Sequence, residues 1–202
     1  MDFELADGHG IDGDLIAVMD ETIPAMGAGV YYVVTTAVIL DPRNIQGELA
    51  TFFDDTPGRK NPFHWHKEGP TARARILDLV IDHGVVAICT YQSVARNKQT
   101  RARKRLIEVT ADRLAHEEVE HLTIESGDAR TNQRDRAALL DHYRDRGGVP
   151  FVYDWRSKHE RILWIADAIN GVVFDSFANQ DNTQLDRLLA EGVLTEPPEY
   201  IP

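Results

Sequence analysis

Three acidic residues end or interrupt apolar runs in this sequence: Asp20 closes LIAVMD, Glu125 closes LTIE, and Asp167 lies inside RILWIADAINGVVF. A carboxylate in such a setting is costly to bury unless it is paired, hydrogen-bonded or bound to a cation. Oxygen ligands reaching one place from separate elements are what a hard divalent ion needs. Asp20, Glu125 and Asp167 are therefore the candidate metal ligands, with Mg²⁺ or Mn²⁺ as the candidate cofactor. In a site of this kind one ion activates water and a second stabilises the leaving oxygen, which is phosphodiester hydrolysis without a covalent nucleophile. Glu21 and Glu68 extend the candidate catalytic set, and His66 or Lys67 would stand near the scissile phosphate. Each acid also has a plainer reading. Asp20-Glu21 suits a solvated turn, Ser126-Gly127-Asp128 after Glu125 is turn and helix-cap chemistry, and Asp167 with Asn170 forms a polar stripe at i, i+3.

The segment FHWHKEG offers a second chemistry. On a strand His64, His66 and Glu68 share one face and have the ligand types of a zinc or iron site, although three ligands spread along one short strand chelate poorly. Basic residues cluster once, as Lys98, Arg101, Arg103, Lys104 and Arg105 at the start of a predicted helix. Cations there oppose the helix macrodipole, so these residues, together with Lys158, are candidate contacts for a nucleic acid; a solvated helix face is the plainer reading.

The elements that must position these residues follow from hydrophobic period. LIAVMD and VYYVVTTAVIL predict a hairpin across the Pro24/Gly27/Gly29 turn, and a short helix fits Ile45 to Phe53 before the turn Asp54-Asp55-Thr56-Pro57-Gly58. PFHWHK alternates as a third strand. Helical spacing from Pro70 to His83-Gly84 gives way to the strand VVAICTYQSV. A long helix over 97–119, the strand HLTIES, a helix over 132–146 ended by Gly147-Gly148, the strand VPFVYDW and an apolar helix over 159–177 follow. A short helix over 181–191 and the extended tail EPPEYIP complete the chain. Helix–strand alternation after an opening hairpin predicts an α/β fold with a ribonuclease-H-like mixed sheet and helices on both faces, in one domain over 1–202 with its core over about 15–178. No GxGxxG or GxxxxGK[ST] stands here to favour a dinucleotide- or NTP-binding fold.

Composition narrows the setting. A chain of 202 residues, 43% hydrophobic and 27% charged, can bury one substantial core. Cys89, the single cysteine, lies in the apolar run VVAIC and excludes a thiolate cluster. The acidic opening MDFELADGHGIDGD is unlike a signal peptide and no apolar run reaches bilayer-spanning length, so a cytoplasmic protein without a membrane partner is expected. The net charge of −11 opposes non-specific attraction to nucleic acid, so such a partner requires a local basic patch or metal ions. Oligomeric state is not encoded legibly.

With those residues in place, the chain resembles domain-of-unknown-function family 3800, whose members look like ribonuclease-H-fold proteins. VMDET before VYYVVTTAVIL is similar to that family's opening strand and its acid. FHWHKEG resembles its polar His/Glu segment, LTIESGD its late strand ending in acid, and Ser157-Lys158 followed by WIADAING its closing helix. The resemblance implies an acidic site of Asp20 with Glu21, Glu125 and Asp167, joined by Glu68. In the implied topology VVAICTYQSV is the fourth strand and adjoins the first. The expected activity is a divalent-metal-dependent nuclease. The alternative is a non-catalytic module of the same fold that binds nucleic acid or protein, a mobile-element or defence setting being analogy alone.

Overall fold

A computed structural model describes residues 15–26, 29–54 and 61–202. The acidic opening segment, Gly27 and the turn residues 55–58 lie outside the described residues. The sheet begins with β1 (Ile16–Thr22), β2 (Ala25–Met26) and β3 (Gly29–Ile39), continues with β4 (Val86–Val94), β5 (His121–Glu125) and β6 (Val152–Arg156), and ends with β7 (Glu199–Tyr200). Its order is β6-β5-β1-β3-β4-β7, with β2 pairing on β3. β1, β3 and β4 run antiparallel, while β5 and β6 lie parallel to β1 and to each other. A central first strand, an antiparallel hairpin on one side and two parallel crossover strands on the other make this a ribonuclease-H-like fold.

Among the described residues six helices cover the sheet: α1 (Pro42–Thr51), α2 (Pro70–Asp82), α3 (Gln99–His116), α4 (Ala129–His142), α5 (Leu163–Asn179) and α6 (Thr183–Ala190). Alternate strand residues feed two cores. Val18, Val33 and Ala37 pack with α1, α2, α5 and α6, whereas Ala17, Met19, Val34 and Ile124 pack with α3 and α4. The helix starts and stops follow local chemistry. Pro occupies the first turn of α1 and α2, the Asp41 and Asp128 carboxylates cap α1 and α4, and Gly84 after α2 takes φ +59°.

Two expectations about the strands are corrected. PFHWHK is no strand: Trp65–Lys67 form one 3-10 turn, closed by the Lys67 N–H donating to the His64 carbonyl at 2.8 Å and the Glu68 N–H to the Trp65 carbonyl at 3.2 Å. The third major strand is therefore β4, which pairs with β3 and β7 and does not adjoin β1. β5 takes that place, so the strand beside β1 does end in an acid, Glu125. The apolar helix starts at Leu163 rather than 159, after a turn closed by Glu160 N–H donating to the Ser157 carbonyl. The tail is more than extended chain, since Glu199–Tyr200 pair with β4.

Candidate active site at the end of the first strand

The site grows from register. Asp20 on β1 stands opposite Thr35 on β3, and Thr35 stands opposite Cys89 on β4, so the three share one sheet face. In the parallel pair Met19 is opposite Ile124, and both pack toward α3. Alternation then turns Asp20 and Glu125, each one residue further, to the other face, under α5. The row is wired by hydrogen bonds. Thr35 Oγ1 and Cys89 Sγ are 3.2 Å apart, Thr35 Oγ1 donates to Asn170 Oδ1 at 3.0 Å, and Asn170 Nδ2 donates to Asp20 Oδ2 at 3.2 Å. With Thr35 fully buried and Asn170 only 2% exposed, the amide has one orientation, its nitrogen on Asp20. Burial pushes the Cys89 thiol up to about 12, so it serves as a buried apolar neighbour.

Asp167 reaches the same region from α5, and Trp65 sets it there. Asp167, Gly171 and Asp175 follow at i, i+4 and i+8, forming one stripe with a gap where the glycine lacks a side chain. Trp65, 2% exposed, lies in that gap. Its backbone N–H donates to Asp167 Oδ2 at 2.8 Å and its indole N–H to Asp175 Oδ2 at 2.7 Å. Arg73 Nε donates to the Trp65 carbonyl at 2.8 Å, and its guanidinium lies 4.9 Å from the indole ring centre. The turn that seats Trp65 also brings His64 Nδ1 to 3.2 Å from Asp167 Oδ1.

The electrostatics show which acids belong together. Packing around the Asp20 carboxyl raises its pKa well above the ordinary carboxylate range, first by desolvation and then by the charges of Glu125 and Asp167; Asn170 and Arg103 act in the opposite direction. Glu125 is raised by desolvation and by Asp167, with Lys158 and His64 lowering it. Asp20, Glu125 and Asp167 are thus electrostatic neighbours, with Lys158 and His64 at their edge. Among the described residues no three His, Cys, Asp or Glu side chains stand close enough to form a closed metal-holding group. The donor chemistry, carboxylate oxygen from three elements, suits a hard divalent ion, while the set stays open in its spacing.

The other expected residues divide. Glu21 points to the opposite face, where Tyr32 OH and Arg103 bond to its carboxylate, so it is not beside Asp20 in the site. Arg103 is not a surface cation. At 8% exposure it also makes a two-pronged bond to Asp135, with Nε and Nη2 each 2.8 Å from a carboxylate oxygen. Lys98, Arg101, Lys104 and Arg105 remain exposed. Glu68 turns back to accept from the His64 N–H at 3.4 Å. His66 sits with its ring centre 4.5 Å from that of Phe174, its pKa lowered chiefly by desolvation. His64, His66 and Glu68 are therefore not ranged along one strand face as the zinc reading requires. Asn170 and Trp65 are the residues whose positioning roles the sequence reading did not assign; the Asp-x3-Gly-x3-Asp spacing on an apolar helix is the signal for the second.

No family model matches the chain, and no curated protein matches it. The resemblance to domain-of-unknown-function family 3800 thus stands on its short motifs alone. Among solved structures, a chain from the PCNA:RNase HII complex of Archaeoglobus fulgidus is similar at 12% identity with a TM-score of 0.45, covering 91% of this chain and 80% of that one. The fold is identified by this chain's own strand order. No helix among the described residues is long and apolar enough to cross a membrane.

Proposed function

We propose that the chain is a divalent-metal-dependent phosphodiesterase of nucleic acids, with Asp20, Glu125 and Asp167 as the ligands of Mg²⁺ or Mn²⁺. The observation that carries this reading is the convergence of these acids: Asp20 and Glu125 stand toward the C-terminal ends of the adjacent strands β1 and β5, under the α5 helix that carries Asp167, and Asp20 is raised first by desolvation and then by repulsion from Glu125 and Asp167. A bound cation relieves such repulsion, and when present supplies an activated water and charge neutralisation at the leaving oxygen. The protein's part is positioning. Asn170 holds one oxygen of Asp20, the Trp65 N–H holds one oxygen of Asp167, and Lys158 offers a cation beside Glu125. His64, on the second oxygen of Asp167, is the group placed to move a proton.

The test pairs binding with turnover. Calorimetry with Mn²⁺ should give saturable binding in the wild type and not in Asp20→Asn. At 100 times Kd the ion should raise unfolding free energy by about 2.7 kcal/mol. Labelled DNA and RNA should be cut only with the ion and only by the wild type. A protein that neither binds Mn²⁺ nor cuts any nucleic acid would sink the enzyme reading. It would leave the second one, a non-catalytic binding module, which the open spacing of the acids favours.

A further inference from the structure

On the sheet face opposite Asp20, α3 and α4 flank a groove of about 670 Å³ lined by Lys98, Arg101, Lys104 and Arg134, with Glu21 and Ile23 at the end of β1. Five cations and three carboxylates line it, in a chain of net charge −11. Arg103 on its floor is committed to Glu21 and Asp135, which ties α3 to β1 and to α4. Lys104 is 3.8 Å from Glu108. Lys98, Arg101 and Arg134 are exposed and, among the described residues, make no ion pair within 4 Å.

A second hollow of about 600 Å³ on the other flank of α3 shares Lys98, Arg101 and Lys104 and adds Arg105, so the cationic surface runs across the helix. No side chain caps the α3 N-terminus, in contrast to the Asp128 cap of α4. Cations gathered at the positive end of a helix dipole favour an external anion.

We propose that this groove carries the phosphate backbone of a nucleic-acid strand, held by Lys98, Arg101 and Arg134 and delivered to the end of β1. The choice of nucleic acid over other polyanions rests on the phosphodiesterase reading; the groove itself does not depend on Asp20. Arg103 takes no part in the contact.

Binding is measured by fluorescence anisotropy with fluorescein-labelled single-stranded and duplex oligonucleotides in EDTA, so that neither metal nor cleavage contributes. Three phosphate contacts give a single-strand slope of log K against log salt of about −2, and each lost cation removes about 0.7 from it. Arg101→Glu and Arg134→Glu, which break no ion pair, should each weaken binding at least about tenfold and flatten the slope, with thermal unfolding unchanged; Asp20→Asn should bind as the wild type does. Unchanged affinity in both Glu variants, or a wild type that binds heparin or an acidic peptide but no nucleic acid, would overturn the proposal. Groove-dependent binding without metal-dependent cleavage would support the groove while the enzyme reading fails.

Discussion

Replacing Gly171 by alanine tests the seat on which Asp167 depends. A Cβ at 171 would lie 2.1 Å from Trp65 Cγ, 2.4 Å from Cδ1 and 2.5 Å from Cβ, all on a ring root that has no flexible end to yield. Alanine gains about 1 kcal/mol of helix propensity over glycine. Against that stand about 2 kcal/mol for overpacking a closed site and about 2 kcal/mol for weakening one bond from Trp65 to a carboxylate. The net cost is roughly 3 kcal/mol, a fall in Tm of roughly 6–12 °C for a domain of this size. Urea and thermal unfolding, followed by circular dichroism and tryptophan fluorescence, measure it. In a Trp65→Gly background all three of those atoms are gone, so Gly171→Ala should reverse sign and stabilise. Gly171→Ala as stable as the wild type in the Trp65 background would refute the account of the notch and of how Asp167 is held.

The other predictions concern charge and hydrogen bonds. Asp20 has a raised pKa, so ionising it destabilises the folded chain as pH rises from the ordinary carboxylate range through the folded value. In EDTA, Asp20→Asn should therefore be more stable than the wild type at pH 7, with the advantage shrinking as pH falls; urea midpoints across that range check it. Arg103→Ala leaves Asp135, 2% exposed, buried without its counter-charge and should cost about 3–5 kcal/mol. Arg103→Lys should recover only part, since lysine lacks the fork, as denaturant titration would read. Asn170→Ala removes the amide donor from Asp20 and should raise that pKa further, measured by carboxyl-carbon NMR, while costing about 1 kcal/mol for the lost Thr35 bond, since the Thr35 hydroxyl keeps Cys89 Sγ as a partner at 3.2 Å.

Much of this was readable from local pattern. The apolar run through Asp20, the β-branched second strand, the glycine stop after α2 and the apolar helix around Asp167 all carry signals within a few residues and formed as elements of the expected type, although β1 continues to Thr22, α4 stops at His142 before Gly147-Gly148, and α5 begins at Leu163. The misreadings share one cause, which is partnership across the fold. FHWHK alternates like a strand, yet the Gly171 notch claims Trp65 and winds the segment into a turn. Arg103 sits in a basic run, yet Asp135 and Glu21, from other elements, bury it. β4 was placed beside β1 because counting PFHWHK as a strand shifted every later strand by one. Asn170 looked like half of a polar stripe, and only the β1–β3 register reveals that it answers to Asp20.

The dipeptide Asp20-Glu21 serves two separate charge systems because the pleat sends neighbours to opposite sides. Asp20 joins the acids under α5, and Glu21 joins the buried arginine under α3. The strand's register is thus an address. Sliding β1 by one residue would put Glu21 in the acidic pocket and Thr22 in the place beside the arginine, which would lose its carboxylate. Swapping the order of the two letters, with composition and net charge untouched, would instead exchange the two carboxylates, giving the pocket the longer side chain and the arginine the shorter.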